Sequence, residues 1–349
     1  MLEVNKTGWM EKEKPVAGPL DAIIRPIVVA PCSSDTHAMH GGAGPMTERT
    51  LGHEAVGKVV EVGSLVKKFK PGDIVVVPCC TPDWTEVGMQ EKNINSAHDA
   101  GMMGSFKFLL QKDGVFAEYF SVNCADANLV LLPEGVSLES ALMTTDMMST
   151  GFYGAEMANV RVGDTVVVFG IGPVGLMAVA GAKAMGAARI IGVGTRPNCV
   201  ELAKEYGATD IVSYKEGDVV EQILKIAGGK VDGAVIAGGN SQTMNQALAV
   251  VKNNGAIGNV NFFDATAKFE IAAPEWALGM GDITIRGGFC PGGAYRIGKL
   301  LKYIQAGRID PSKVFNYKYE GFEKIEEAFK VMDEKPRDLI KPIVYVNLD

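Results

Sequence analysis

From about residue 163 to residue 290 the chain alternates between short valine- and isoleucine-rich runs and longer stretches whose apolar residues recur at helical spacing. Few folds accommodate that rhythm. Strands are expected at 165–169, 189–193, 211–213, 232–237 and 256–259, with helices between them at 174–185, 198–206, 219–227 and 243–251. Runs this apolar have both faces covered, and strands joined through helices lie parallel, so this part of the chain is predicted to form a doubly wound α/β domain.

The first strand-to-helix turn of that series reads Gly170-Ile171-Gly172-Pro173-Val174-Gly175. A G-x-G-x-x-G string alone is weak, since the chain has 42 glycines. Between a strand and a helix it gains a mechanism: the glycines allow the tight turn and let backbone N–H groups at the helix start face a pyrophosphate. Dinucleotide sites specific for NAD place an acidic residue at the end of the second strand, against the ribose hydroxyls. This chain has Gly194-Thr195-Arg196 there, with Tyr214 near the next strand. No carboxylate repels a 2′-phosphate, and the Arg196 guanidinium offers it a fork of donors, so the expected cofactor is NADP. An ordinary surface arginine is the bland alternative. The same region contains eighteen uncharged residues, 165–182, near the lower limit for a membrane span, but the glycine-proline turn in its middle breaks them into a strand and a helix.

Residues 1–150 have another texture. Strands are expected at 22–29, 55–62 and 74–77, with turns at Gly18-Pro19 and Pro71-Gly72-Asp73, which describes a β-rich module. Residues 81–112 lack periodicity and are expected to be a long loop. The tail returns to helix, at 322–332, and strand, at 343–346. The expected division is 1–150, 151–290 and 291–349. At 349 residues the chain is long enough for about two cores. A net charge of −7 offers no basic footprint for nucleic acid or an anionic membrane, which leaves small molecules or copies of itself as partners. The six cysteines show no C-x-x-C spacing, and the first residues show no export or organelle signal, so the expectation is a cytoplasmic protein with reduced thiols.

Within the β-rich module, Gly52-His53-Glu54-Ala55-Val56-Gly57 sets an imidazole and a carboxylate at a strand entrance. Alone, such a pair is more often a solvated surface pair than a metal site. Upstream, however, Cys32, Ser34, Asp35 and His37 place a thiol, a hydroxyl, a carboxylate and an imidazole within six residues, a grouping that core packing does not explain and that suits zinc.

The G-H-E-x-x-G string at 52–57, Gly63 and Cys32 together resemble the zinc-dependent medium-chain alcohol dehydrogenases. The stretch from Thr145-Asp146-Met147-Met148 to Phe152 is similar to the branch of secondary alcohol dehydrogenases that uses a carboxylate as a zinc ligand, and the likeness runs on through residues 287–293 to 338–342. The resemblance implies a GroES-like catalytic domain beside a Rossmann domain, with the tail rejoining the catalytic part. It implies one catalytic zinc held by Cys32, His53 and Asp146, with Glu54 behind the metal or binding it transiently. It also implies that Ser34 bonds the substrate oxygen, His37 relays the proton and Asp35 orients the ligand histidine. Phe106, Cys79, Cys80 and Tyr153 fall where the family lines its substrate pocket. The implied assembly is a homotetramer acting on small alcohols and ketones. Two departures stand out. Many relatives carry a four-cysteine structural zinc lobe where residues 80–110 hold only Cys80, and the first strand is shortened at its start. Two readings compete: a zinc-free NADPH-dependent quinone or enone reductase of the same fold, and a non-catalytic NADPH-binding protein. Neither accounts for Cys32, His53, Glu54 and Asp146 occurring together.

Overall fold

The computed structural model describes residues 1–44, 46–86, 106–263 and 267–348. In chain order its strands are β1 (Ala22–Val29), β2 (Ala55–Val62), β3 (Ile74–Val77), β4 (Phe120–Val122), β5 (Val130–Leu131), β6 (Thr165–Phe169), β7 (Arg189–Val193), β8 (Asp210–Val212), β9 (Val231–Ile236), β10 (Val251–Asn259), β11 (Thr284–Gly287), β12 (Phe315–Glu320) and β13 (Lys341–Tyr345). The chain divides into two units, Met1–Ser149 with Cys290–Asp349, and Thr150–Phe289.

In the second unit the strands lie parallel in the order β11-β10-β9-β6-β7-β8. Val166, Val167 and Val168 of β6 are wholly buried, as a strand covered on both faces requires. The chain winds from β6 outward to β8, then returns to start β9 on the other side of β6. That reversal is the topological switch point, where loops leaving the carboxyl ends of two strands part and open a crevice. The turn at Gly170 leaves β6 there. The helix expected at 174–185 spans Pro173–Ala184. Strand β11 escaped the sequence reading because it lies at the sheet edge and is largely exposed, so it has no apolar run. The first half of β10 was hidden too. A register irregularity between Val251 and Ala256 falls on Lys252-Asn253-Asn254-Gly255, a composition that reads as a turn.

In the first unit seven strands form one sheet, β12-β13-β1-β2-β3-β5, with β4 also pairing β1. Strand β1 is central: Ala22, Ile23, Ile24, Val28 and Val29 have no exposed surface. Its neighbour β13 comes from the tail, pairing Val28 with Tyr345, so the last stretch completes the sheet begun by the first. The apolar core gathers Ile24, Val29, Val59, Val75, Phe108, Phe120 and Leu129 with Phe329 of the tail helix Lys324–Glu334. Ahead of β1 the chain forms only an isolated bridge between Glu3 and Lys6. Residues 1–150 are also less purely β than their texture suggested. Helices span Ser33–Met39 and Leu138–Thr145, and another begins at Met147. The start signal of the second was present in the sequence: Ser137 Oγ accepts the Ser140 N–H at 3.1 Å. Most of the long loop expected at 81–112 lies outside the described residues.

Candidate metal and nucleotide sites

Cys32 caps the helix Ser33–Met39 from an extended backbone conformation. Asp35, one turn in, is wholly buried and serves two segments at once. Its Oδ2 accepts the Cys32 N–H at 3.0 Å, while its Oδ1 accepts the Gly52 N–H at 3.0 Å and lies 3.2 Å from His53 Nδ1. One carboxylate thereby closes the helix start and fixes the histidine ring, the way buried acidic partners orient ligand histidines. Gly52 is held at φ 93°, and a Cβ there would lie 2.4 Å from the Phe116 ring, so only glycine lets the His53 segment pass so close. The other face of the imidazole meets Phe106 edge-on at 5.0 Å.

Asp146 follows the helix Leu138–Thr145 and turns its Oδ2 to 3.3 Å from His53 Nε2 and 3.9 Å from Cys32 Sγ. Together Cys32, His53, Glu54 and Asp146 present donor atoms that all lie within 4.8 Å of one another, and all four are buried. A tetrahedral ion with bonds of about 2.0 to 2.3 Å has edges of roughly 3.3 to 3.8 Å, so the spacing suits zinc. Electrostatics argue the same way. Three carboxyl groups and a thiol are gathered away from water, and among the described residues Lys341 is the one permanent cation with them, while Glu54 Oε2 is buried without a hydrogen-bond partner. A divalent cation removes both difficulties, since buried charge is tolerated only when paired or bound to metal.

Lys341 was not picked out by the sequence reading. It opens β13, is wholly buried, and donates to Glu54 Oε1 at 2.8 Å and to the Pro31 carbonyl at 3.0 Å. A lysine at a strand start in the chain's tail gives no local sign that it will meet a glutamate far upstream. Burial pushes the Glu54 carboxyl up to about 7, even against the pull of the Lys341 ammonium. Burial opposes the charge on Lys341 as well, but Glu54, Cys32 and Asp146 together outweigh it and raise the ammonium. For His53, burial favours the neutral ring; the Asp35 charge and hydrogen bonds to Asp146, Asp35 and Cys32 overcome it and hold the imidazole well above its ordinary value.

Ser34 is half-buried, its Oγ 3.4 Å from His53 Nε2. His37, one turn further along the same helix, is exposed. Phe106, Cys79 and Cys80 are buried in this unit, whereas Tyr153 belongs to the other, against Gly288. The first unit also contains a cavity of about 780 Å³ beside the N-terminal arm, lined among others by Trp9, Lys112, Phe116 and Phe322; none of the four clustered residues lines it.

In the second unit the glycine turn has the required form. Gly170 sits at φ 83°, and a Cβ on Gly175 would lie 1.8 Å from the Gly170 carbonyl oxygen, so the helix packs directly on the turn. Gly172 caps the helix with Pro173 at its first position; Ile171 is buried, and Val174 is half-buried in the first turn. A Cβ on Gly172 would come within 3.3 Å of the Arg196 guanidinium, which places that side chain beside the glycine turn. Thr195 Oγ1 donates to the Tyr214 hydroxyl at 2.8 Å. Gly194, Thr195, Arg196 and Tyr214 are thus drawn to one place. A Cβ on Gly194 would lie 2.3 Å from Ile171 Cγ1, so an acidic residue cannot be introduced there without displacing Ile171.

Residues 18–134 match the family described as "Alcohol dehydrogenase GroES-like domain", and residues 173–306 match "Zinc-binding dehydrogenase". The chain is 54% identical over 346 residues to an NADP-dependent isopropanol dehydrogenase of Thermoanaerobacter brockii, covering 99% of this chain and 98% of that one. It is 52% identical over 351 residues to a protein of the same name from Entamoeba histolytica, covering 100% and 95%. Among solved structures it is similar to the apo form of zinc dependent alcohol dehydrogenase 2 from Streptococcus pneumonia, with a TM-score of 0.90 at 26% identity, covering 100% of this chain and 97% of that chain. With an acid-rich buried donor cluster in one unit, a glycine turn at the switch point of the other, and relatives matched from end to end, the chain belongs to the zinc-dependent medium-chain alcohol dehydrogenases, in the branch of the NADP-dependent isopropanol dehydrogenases.

Proposed function

We propose that Cys32, His53 and Asp146 hold a catalytic zinc ion, and that the protein interconverts small secondary alcohols and ketones, and some aldehydes, using NADP(H). The observation that carries this reading is the buried four-residue cluster with its unpaired Glu54 oxygen, in a chain similar over its whole length to NADP-dependent isopropanol dehydrogenases. When bound, zinc supplies Lewis acidity at the reacting oxygen and the nicotinamide gives or takes the hydride.

The remaining roles fall to side chains. Ser34 Oγ, on the same side of the imidazole as the clustered donors, bonds the substrate oxygen and passes its proton on; exposed His37 completes the path to water. Asp35 holds His53 in one orientation. Glu54, anchored through one oxygen by Lys341, would have the other free to offer to the metal. Backbone N–H groups at the helix start after Gly170 receive the pyrophosphate, with Ile171, Pro173 and Val174 shaping the turn. Arg196 and Thr195 take the 2′-phosphate, and Tyr214 flanks the adenosine ribose. Residues 1–150 with 291–349 form the catalytic domain and 151–290 the NADP domain, a division supported by the contact boundaries at Ser149 and Phe289.

The reading extends to a cytoplasmic homotetramer with neither a nucleic-acid nor a membrane partner, supported by the family resemblance and the acidic net charge; among the described residues no helix is long and apolar enough to cross a membrane. Light scattering on the eluting protein tests the tetramer. The function is tested by following NADPH and NADH oxidation with small ketones and measuring zinc on the same sample. One zinc per chain, chelator-sensitive turnover and a preference for NADPH are expected. Ketone or enone reduction by zinc-free protein would select the reductase reading instead.

A further inference from the structure

The cavity beside the N-terminal arm is a groove walled in part by backbone that pairs with nothing. Residues 7–15 run along it without a turn or bend. Side chains tether this arm. The Lys12 ammonium donates to Asp113 Oδ1 and to the Glu48 carbonyl, both at 2.7 Å, the Lys14 ammonium lies 4.6 Å from the centre of the Tyr119 ring, and the Trp9 and Phe322 rings are 4.8 Å apart. Its backbone is not tethered. Among the described residues, no backbone N–H or carbonyl of residues 7–15 makes a hydrogen bond, and neither do those of Ala117 and Glu118, which also line the groove.

The rest of the lining divides by chemistry. Leu51, Phe116, Phe120, Ile325 and Phe329 are each at most 8% exposed and make an apolar floor, while Trp9 and Met10 of the arm are 47% and 39% exposed. At the rim, Glu11, Glu13, Glu118 and Glu326 are exposed, and none has an ion-pair partner among the described residues. The lining cations are mostly engaged already. Lys12 is held by Asp113 and Lys14 by the Tyr119 ring, and Lys112 donates to the Ser121 carbonyl and to Asn123 Oδ1, both at 2.9 Å, which leaves only the Arg49 side chain to set against four carboxylates.

We propose that this groove receives, by strand addition, an extended segment of another polypeptide that is apolar at alternate positions and basic at its ends. Backbone edges of this kind are matched in spacing only by another backbone, which brings a donor or an acceptor at every residue. The alternation follows from the period of two: every second side chain meets the apolar floor and the others face outward. Basic residues answer the unpaired carboxylates at the rim. A small apolar molecule would fill the floor and leave both backbone edges as they are. A strand of seven residues is about 23 Å long, which the arm of residues 7–15 spans. The competing account is a solvated cleft whose edges are satisfied by water alone.

The test is the fluorescence anisotropy of a labelled peptide, Lys-Val-Thr-Phe-Thr-Val-Lys, titrated with the full-length protein. Saturable binding of one peptide per chain is expected, weakened roughly tenfold or more by replacing both lysines with glutamate, or by N-methylating the amides. Amide hydrogen exchange at residues 8–14, 117 and 118 should slow when the peptide is present. Consecutive N–H groups along an extended chain point to opposite sides, so of Met10→Pro and Glu11→Pro one should weaken binding strongly and the other little. Both residues are exposed and neither makes a hydrogen bond among the described residues, so the fold does not depend on them. Absence of saturable binding, equal binding of the N-methylated peptide, or binding unmoved by both proline variants would each overturn strand addition. Octanoate bound where the peptide is refused would identify a site for an amphipathic carboxylate, and self-association that protects the same amides would identify a second copy of the chain; either result would also overturn the proposal. The outcome is independent of the function reading, because none of the clustered zinc donors lines the groove and no turnover is measured.

Discussion

The metal cluster draws Cys32, His53, Glu54 and Asp146 from scattered positions of the first unit and buries them all. The nucleotide loop draws on consecutive backbone from Gly170 to Gly175 and leaves Arg196 half-buried and Tyr214 58% exposed. In the first region charge is concentrated where water cannot screen it, so every donor depends on the rest. In the second, the side chains have solvent at hand, so the loss of one is expected to be a local event. The difference teaches where substitutions are expected to act jointly and where one at a time.

The comparison is broken most directly by taking one ligand at a time from the cluster. Cys32→Ala, His53→Ala and Asp146→Ala should each lose stoichiometric zinc and reduce ketone turnover to background, while NADPH still binds, as its fluorescence on titration will report. Asp146→Asn checks that any loss is chemical, since it keeps the shape. Near-normal turnover with full zinc in Asp146→Ala would show that the cluster does not act as a unit and that Asp146 is no ligand.

Lys341→Met sharpens the same point without touching a zinc ligand. Removing one partner from a wholly buried pair leaves an uncompensated carboxylate, a loss of about 3 to 5 kcal/mol. For a protein with units of this size that is a fall in thermal midpoint of roughly 10 °C. Adding Glu54→Gln removes the stranded charge and should restore most of it. A Lys341→Met protein that melts as the parent does would mean that Glu54 is neutral or bound elsewhere, and that burial here creates no dependence.

Legibility in the sequence follows the same divide. The glycine turn, strands β6 and β7 and the helices around them were readable because both the periodicity and the turn chemistry are local. Strands β1, β2 and β3 were likewise read with their observed bounds. Cys32, Ser34, Asp35 and His37 stood out because they crowd one short stretch, yet that stretch was not read as a helix: its polar face is turned to the cluster rather than to water. That Asp146 would meet His53 came only from the family resemblance, since nothing near Asp146 announces it. Lys341 was missed for the same reason, being placed beside Glu54 by sheet pairing of the tail. Edge strand β11 was missed because an exposed edge needs no apolar pattern.

Arg196→Ala tests the other region. A hydrogen bond to a charged group contributes roughly 1.5 to 3 kcal/mol, so NADPH should bind about ten- to a hundredfold more weakly, while NADH, which has no 2′-phosphate, is unaffected. The measurement is the ratio of kcat/KM values for the two cofactors. Adding Gly194→Asp does not sharpen it, because the crowding against Ile171 should weaken both cofactors together. An unmoved ratio in Arg196→Ala would place the phosphate elsewhere. A parent protein that already prefers NADH would remove the phosphate site altogether.

The smallest expected effect is that of Tyr214→Phe. The phenol accepts a hydrogen bond from Thr195 Oγ1 at 2.8 Å, and its ring flanks the ribose position in the proposed site. Removing the hydroxyl leaves Thr195 unpaired only in name, since water reaches a residue this exposed and replaces the bond. A neutral, solvent-accessible hydrogen bond contributes at most about 0.5 to 1.5 kcal/mol, and replacement by water puts the loss at the lower end, roughly threefold in NADPH affinity. The ring remains, so the change should be equal for NADH, leaving the cofactor ratio where it was. A loss above tenfold confined to NADPH would show the phenol itself bonding the phosphate. In that case the exposed region acts jointly after all, with Thr195, Arg196 and Tyr214 as interdependent as the donors of the buried cluster.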